Sequence, residues 1–276
     1  MRIAIATSPE VPNLPPGEHA LLSALGDLGI AARPLIWSSD ETDWAAFDAV
    51  VIRSCWDYHL RPDAFLDWIA RLEALKIPVL NPPEAIRWNI DKRYLKDLSA
   101  KGIPIPESIW ILPGDRLDVA EACRERSWKC AVVKPLVGAT AYRTERQRDG
   151  IVHGPMIVQE FVPAIQTSGE WSLVFIDGSF SHSVRKRARD GDFRVQQEFG
   201  GSIELAKPPD SVLAVGEFAM AALPRPAVMA RVDLVEAGSS VVLMELELID
   251  PELFFQLAPE ASGRLAAALR AELLRV

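Results

Sequence analysis

Hydrophobic positions along the first ninety residues recur with two different periods. Arg2–Thr7 (RIAIAT) is a short apolar run that predicts an opening strand, and Ala31–Ile36, Ala49–Ile52 and Val79–Leu80 predict three more. Between them, Leu21, Leu22, Leu25 and Leu28 within Glu18–Leu28 recur at helical spacing, as do Phe65, Trp68, Ile69 and Leu72 within Pro62–Leu75. Such alternation predicts a parallel sheet covered by helices. No GxGxxG follows the first strand; the segment there is SPEVPNLPPG, whose prolines exclude the dinucleotide-binding turn.

From about Asn89 the pattern changes. A helix over Lys92–Lys101 ends at Gly102, and strands are expected at Cys130–Lys134 and Ile157–Val162. After Gly169 strands dominate: Trp171–Ile176, a hairpin turn at Asp177-Gly178, then Phe180–Arg187. A helix over Ser211–Leu223 precedes strands Val228–Val235 and Val241–Leu248, and a last helix covers Glu260–Leu274. The fold class is α/β (α+β): an N-terminal parallel α/β domain over residues 1–88, then a second, strand-rich module over 89–276.

The segment ARVDLVEAGSSVVLMELELIDP carries the first chemistry. A two-residue period puts Arg231 and Asp233 on one face of the first strand, and Glu245 and Glu247 on one face of the second. Pairing Val235 with Val241 across the EAGSS connection would set Arg231 opposite Glu245 with Asp233 diagonal to it, so that three carboxylates share a face. A slip of one residue would separate them. Two like charges ~7 Å apart at an effective dielectric near 20 cost about 2 kcal/mol, which a bound cation removes. An oxygen-only donor set suits Mg²⁺ bridging phosphates. A solvated polar face, with Arg231 neutralising one carboxylate, is the competing reading.

Composition narrows the partners. The 276 residues carry 38 acidic and 30 basic side chains, a net charge of −8 that argues against a nucleic-acid binder. Cys55, Cys123 and Cys130 form no CxxC, which gives neither a disulfide framework nor a zinc ribbon and suits a reducing cytoplasm. No apolar run reaches membrane-spanning length, and the N-terminus lacks a signal-peptide core. Within this acidic chain, basic residues still cluster locally. Lys134 ends an apolar strand before the loop LVGATAYRT, a position suited to a phosphate or to the cap of an edge strand. Lys92 opens a helix, and Arg185, Lys186 and Arg187 alternate along one strand, with Lys186 on the opposite face from its neighbours.

In order, DKRYLKDLSAKGIPIP, VVKPLVGAT, IVQEFVPAIQTSGEWS, the basic strand, RVDLV and MELELIDP resemble the ATP-grasp superfamily over about Asn89–Phe255. RKRARDGDFRVQQEFGGS is similar to the matching run of RimK-type glutamate ligases and bacterial glutathione synthetases, and VIRSCWDYHL resembles the cyclo-ligase type of the cycloserine pathway. The resemblance implies a two-lobed ATP-grasp fold after the N-terminal domain, with a small lid lobe over about 106–162 and a large lobe over about 163–276. It also implies ATP and Mg²⁺ as cofactors. Lys92 and Lys134 would meet ATP phosphates; Gln159, Glu160, Phe161 and Val162 would form the adenine-reading hinge; Glu170 would bind the ribose. Lys186 and Arg194 would serve as catalytic cations, Gln196 would stand where related ligases have Asn, and Gly200 and Gly201 would lie near the phosphates. Asp233 and Glu245 match the metal-binding carboxylates, with Glu247 replacing the family's usual Asn. That third carboxylate, and a phosphate loop with the single glycine Gly138, are departures from the family pattern.

The expected activity is that of an ATP-dependent carboxylate–amine ligase working through an acyl phosphate on a small amino-acid-like substrate. A cyclo-ligase, a phosphotransferase and a non-catalytic nucleotide binder are the alternatives. The expected partners are a small carboxylate and an amine, with neither nucleic acid nor membrane; a homodimer is left open. On the substrate side, Arg53, Trp56, Asp57 and Tyr58 follow a predicted strand, where open α/β sheets place ligands. Arg53 suits a carboxylate and Asp57 an ammonium group. An Arg53–Asp57 structural pair, with Trp56 and Tyr58 packing between domains, is equally compatible. Cys55, with no partner histidine, reads as a packing residue, and His19 as a surface residue at a helix start.

Overall fold

The computed structural model describes residues 1–189, 191–195 and 199–275. Its first sheet is fully parallel, with strands in the order Ala31–Ile36, Arg2–Thr7, Ala49–Ser54, Val79–Leu80. Alternation along these strands feeds two separate cores. Ile3, Ile5 and Val51 pack with Leu21 and Leu25 of helix His19–Asp27 and with Leu265 and Leu269 of helix Glu260–Leu273. Ala4, Ala6, Val50 and Ile52 face Phe65, Trp68, Ile69 and Leu72 of helix Pro62–Ala74. Burial of both faces explains the near-continuous apolar runs of these strands. The strand order reverses between Arg2–Thr7 and Ala49–Ser54, which opens a crevice at their carboxyl ends.

A second, antiparallel sheet runs Ser108–Ile111, Met156–Glu160, Ala131–Pro135, Glu145–Gln147. Helix Val119–Glu125 covers it, with Val119 and Cys123 against Ile111, Val133 and Val158. A third sheet, of five antiparallel strands, runs Ser202–Leu205, Ser179–Arg187, Glu170–Ile176, Met229–Ala237, Ser240–Glu247. Trp171, Leu173, Phe175, Val232 and Leu234 turn toward helix Asp210–Ala221. Their sequence neighbours Glu170, Ser172, Arg231 and Asp233 therefore share the opposite face. Among the described residues, no helix is long and apolar enough to cross a membrane.

The Asp177-Gly178 turn forms as expected, with both residues left-handed (φ 50° and 71°), as the twist of a two-residue hairpin requires. The carboxylate hairpin corrects the expected register. Val235 faces Val242, not Val241, and beyond an irregularity at Asp233/Leu234 the pairs are Asp233 with Glu245 and Arg231 with Glu247. The turn shifts the pairing by one residue, and the irregularity at Met244 shifts it by one more. Two odd shifts make an even one, so all four charged residues keep a common face even though each faces a different partner from the one expected. The helix expected over Lys92–Lys101 spans only Tyr94–Ala100, which leaves Lys92 in the preceding turn, its N–H donating to Leu136 O at 2.8 Å. A further helix, Pro83–Asn89, follows the Asn-Pro-Pro stop, with proline at its first position.

Three side chains tie this region to the third sheet. Asn81 donates to Met229 O and Leu248 O (both 2.7 Å) and accepts from the N–H groups of Val228 and Met229. Asn89 donates to Leu246 O and accepts from Leu248 N–H (both 2.8 Å), and Tyr94 Oη accepts from Leu246 N–H at 3.0 Å. Buried side-chain amides here stand in for a neighbouring strand, satisfying backbone groups that would otherwise be orphaned.

Candidate functional site

Cross-strand register assembles the site. Glu170 lies opposite Lys186, Ser172 opposite Asp233, Asp233 opposite Glu245, and Arg231 opposite Glu247. Directly opposed side chains on one face lie within contact range, so four residue pairs across three strand pairings give one charged ladder. Lys186 Nζ stands 2.5 Å from Glu170 Oε1 and 3.4 Å from Asp233 Oδ1. Arg231 donates to both oxygens of Asp233 (3.0–3.1 Å) and to Glu247 Oε1 at 2.5 Å, and the Ser172 hydroxyl also donates to Asp233. Burial pushes the Asp233 carboxyl up, but Arg231 and Lys186 outweigh it and hold it at about 2. Burial also pulls the Lys186 ammonium down, yet Asp233 and Glu170 leave it raised. Glu247 is pushed up to about 7 by burial, with Glu245 and Asp233 adding to the push and Arg231 opposing it.

Asp233, Glu245 and Glu247 each offer an oxygen within 4.8 Å of the others. That all-oxygen donor set, and the mutual repulsion that raises Glu247, fit a hard divalent cation. Lys92 connects the cluster to the second sheet. Its Nζ donates to Gly138 O at 2.6 Å and stands 3.4 Å from Glu245 Oε1.

Two cavities meet here. The smaller, of about 110 Å³, lies between the second and third sheets and is lined by Lys92, Lys134, Gln159–Val162, Glu170, Arg194 and Glu245. Burial pushes the Lys134 ammonium down to about 8, with Lys92 adding to this and Glu245 opposing it. Gln159 donates to Ser108 Oγ, and the N–H groups of Glu160 and Phe161 already donate to Glu107 O and Cys130 O. Arg194 reaches the cavity wall, but its guanidinium is paired with Asp192 at 2.8 Å and stacked 3.7 Å over the Phe199 ring. Gly201 serves a close backbone approach, since a Cβ there would lie 2.2 Å from Val195 O; Gly200 adopts φ 83° against the Arg189 side chain. Gln196 lies outside the described residues.

The larger cavity, of about 460 Å³, runs from the carboxylates to the crevice of the parallel sheet, and Trp56 and Tyr58 line it. Arg53 and Asp57 each have a charged partner of their own. Arg53 is fully buried in a two-bond pair with Glu18 (2.6 and 2.9 Å). Asp57 accepts from Trp37 Nε1 and from Arg61, both at 2.7 Å. Arg53 lines the cavity with its charge taken up by Glu18, Asp57 is held by Trp37 and Arg61, and the two do not pair with each other. Their partners, Glu18 and Trp37, were not singled out from the sequence because nothing local marks them; only the sheet crossover brings Glu18 to a residue 35 positions away. Cys55 is buried with its thiol pushed well up by burial, then by Asp250 and Asp57, as befits a packing residue. His19 Nε2 meets Asn13 O at 3.0 Å, away from the site.

Comparison with known proteins agrees with this geometry. Residues 3–81 match the family described as the N-terminal domain of D-cycloserine synthetase DcsG. The cycloserine biosynthesis protein DcsG of Streptomyces lavendulae is 30% identical over 275 residues, spanning 90% of this chain and 91% of the relative. The chain belongs to the DcsG family of ATP-grasp ligases. The crystal structure of D-cycloserine synthetase DcsG superposes with a TM-score of 0.86 at 29% identity, covering 99% of this chain and all of that one. The D-alanine–D-alanine ligase of Bacillus anthracis, solved with ATP, shares the fold at 17% identity and a TM-score of 0.70, over 100% of this chain and 98% of that one. A RimK-domain ATP-grasp protein from Sphaerobacter thermophilus shares it at 18% identity and 0.68, over 98% of this chain and 100% of that one. As an ATP-grasp ligase of the DcsG family, the chain is an ATP-using enzyme that forms C–N bonds.

Proposed function

We propose that this ligase activates a small amino-acid-like carboxylate as an acyl phosphate and closes a C–N bond on it with an amine of the same molecule, giving a cyclic product. The observation that carries this reading is the continuity of the two cavities through Lys92, Glu170 and Glu245, which puts a nucleotide pocket and a substrate-sized chamber on either side of one charged ladder. The likeness to D-cycloserine synthetase over nearly the whole chain supports ring closure rather than joining of two molecules.

In this reading ATP lies in the smaller cavity, with adenine at the hinge; the Glu160 and Phe161 amides are spent, so the Val162 amide is the donor. Glu170 serves the ribose and leaves Lys186 for the phosphates. Mg²⁺, held by Asp233, Glu245 and Glu247, would neutralise phosphate charge. Lys92, Lys134 and Lys186 steady the γ-phosphoryl group while a carboxylate oxygen attacks phosphorus and ADP departs. The amine nitrogen then attacks the acyl carbon, phosphate leaves with the C–O bond pair, and the amine gives up a proton. Residues 138–141 line both cavities and keep water from the intermediate. The reaction belongs to the cytoplasm, where ATP is held and the three free cysteines stay reduced.

An ADP-release screen over amino acids and their O-substituted derivatives, read by product mass, tests the reading. ADP that appears only with a new C–N bond is expected. Carboxylate-dependent ADP with no C–N bond would make the protein a phosphotransferase, and binding without turnover a nucleotide-binding protein.

Lys134 gives a second test. Its ammonium must be charged to meet phosphate, so the Lys134 contribution to ATP affinity is full below pH 7 and is lost as the pH rises through about 8. Lys134→Arg flattens that profile, and Lys134→Ala weakens binding about 10-fold or more, worth ~1.4 kcal/mol. Lys76→Ala, at an exposed position, changes neither. Calorimetry at pH 7, 8 and 9 measures this; a wild-type profile flat to pH 9 removes Lys134 from the phosphate site.

A further inference from the structure

The larger cavity contains a carboxylate that the ligase machinery above does not use. Asp250 follows the metal-site strand by three residues, is 8% exposed, and lines the chamber. Its Oδ2 is buried with no hydrogen-bond partner among the described residues. Ser54, at the carboxyl end of the parallel-sheet strand Ala49–Ser54, lines the same chamber, and its hydroxyl is likewise buried and unpartnered. Orphaned buried polar atoms are rare in folded proteins, and a buried carboxylate without a partner is among the costliest of them.

The nearby cations are committed elsewhere. Arg53 is held by Glu18, Arg61 by Asp57, and Arg231 by Asp233 and Glu247. Burial pushes the Asp250 carboxyl well up, Glu247 and Asp57 add to the push, and Arg53 and Arg231 oppose it without cancelling it. The segment cannot swing away to find water. Ile249, Leu253, Phe254 and Phe255 are all within 3% of full burial, and His182 Nε2 meets Leu253 O at 2.9 Å. The carboxylate is thus fixed, desolvated and unpaired at the crevice where the strand order of the parallel sheet reverses, the usual ligand position in such sheets. A ligand that brings a compact positive charge with N–H donors into this chamber satisfies the Asp250 carboxylate.

We propose that Asp250, with the Ser54 hydroxyl in the same chamber, receives the ammonium group of the amino-acid substrate, and so sets the enzyme's requirement for an α-amino acid over the corresponding simple acid. This rests on the ligase reading of the chamber and assigns the α-ammonium group, which stays protonated and is distinct from the nitrogen that closes the ring. It replaces Asp57, which is already paired.

Binding of amine and desamino probes tests it without requiring turnover. Calorimetry of the protein with ADP and Mg²⁺ compares D-cycloserine with isoxazolidin-3-one, and D-serine with 3-hydroxypropanoate. In the wild type at least one amine should bind about 10-fold or more tightly than its counterpart. Asp250→Asn should bring that ratio within about twofold, leave ATP affinity unchanged, and keep the thermal midpoint at or above the wild-type value, because an unpaired buried carboxyl is removed. A wild type with no preference for the amine overturns the proposal, as does an Asp250→Asn protein that keeps the preference. A marked fall in midpoint also overturns it, since the carboxylate would then have a structural partner. These outcomes are separable from failure of the ligase reading, which shows as absence of a C–N product in the mass-read screen whatever the probes do.

Discussion

Glu245→Gln is expected to lower ATP-dependent ligation by about 10³-fold at saturating magnesium, worth ~4 kcal/mol of transition-state stabilisation, while the protein stays folded. Glu245 faces the cavity with its side chain 31% exposed, and its ion pair with Lys92 spans 3.4 Å. Little stability rides on such a contact, about 1 kcal/mol or less. Removing its charge leaves an amide that presents the same shape but half the acceptor capacity and no charge to a divalent cation. Circular dichroism and thermal melting should overlay the wild type within a few degrees, while ADP release, followed by a coupled assay, falls to background. Unchanged release would take Glu245 out of the metal set.

The residue directly across the strand pair behaves differently. Asp233→Asn should destabilise the fold by about 3–5 kcal/mol in addition to abolishing activity, because Lys186 and Arg231 then lose the buried counter-charge they share. Thermal melting would register this as a fall of roughly 10 °C for a chain of this size. The acid limb should change too. The Asp233 carboxyl is held at about 2 in the folded protein, below its ordinary value, so its stabilisation is complete above about pH 4 and is lost as the pH falls through 2. That contribution, about 2 kcal/mol, should vanish from the acid unfolding curve of Asp233→Asn. A variant that melts with the wild type would show that the two cations do not depend on Asp233. Two carboxylates paired across one hairpin therefore divide the work: one is open and bears on turnover, the other is enclosed and bears on both turnover and folding.

What could be read in the sequence follows from the range of the interactions. Asp233, Glu245, Glu247 and Lys186 were legible because a two-residue period is local, and even shifts in register leave it intact, as the displaced hairpin pairing shows. The segments around Lys134, Gln159–Val162 and the carboxylates could be singled out for the same reason, since each lies within a few residues on one strand or turn. The partner of Arg53 was not, because Glu18 and Asp57 are equally plausible acids until the sheet order is known. Strands Arg116–Asp118, Glu145–Gln147 and Ile151–His153 are three residues each, too short for alternation to register. Asp250 carries no signal in ELELIDP beyond its charge. Its importance comes from the missing partner, which only three dimensions can show.

The side-chain bonds of Asn81, Asn89 and Tyr94 to the metal-site strands have a bearing on how such enzymes can be recombined. Asn81 in the N-terminal unit, and Asn89 and Tyr94 just beyond it, supply hydrogen bonds to Met229, Leu246 and Leu248, on either side of the carboxylates. A chimaera that exchanges residues 1–88 for those of another ligase would divide this clamp, taking Asn81 and leaving Asn89 and Tyr94 behind. Grafts whose junction lies beyond Tyr94 carry the clamp as a set, whereas grafts joined between Asn81 and Asn89 split it. Among otherwise equal crossover points, the position of the junction relative to these three residues should separate active hybrids from folded but inert ones.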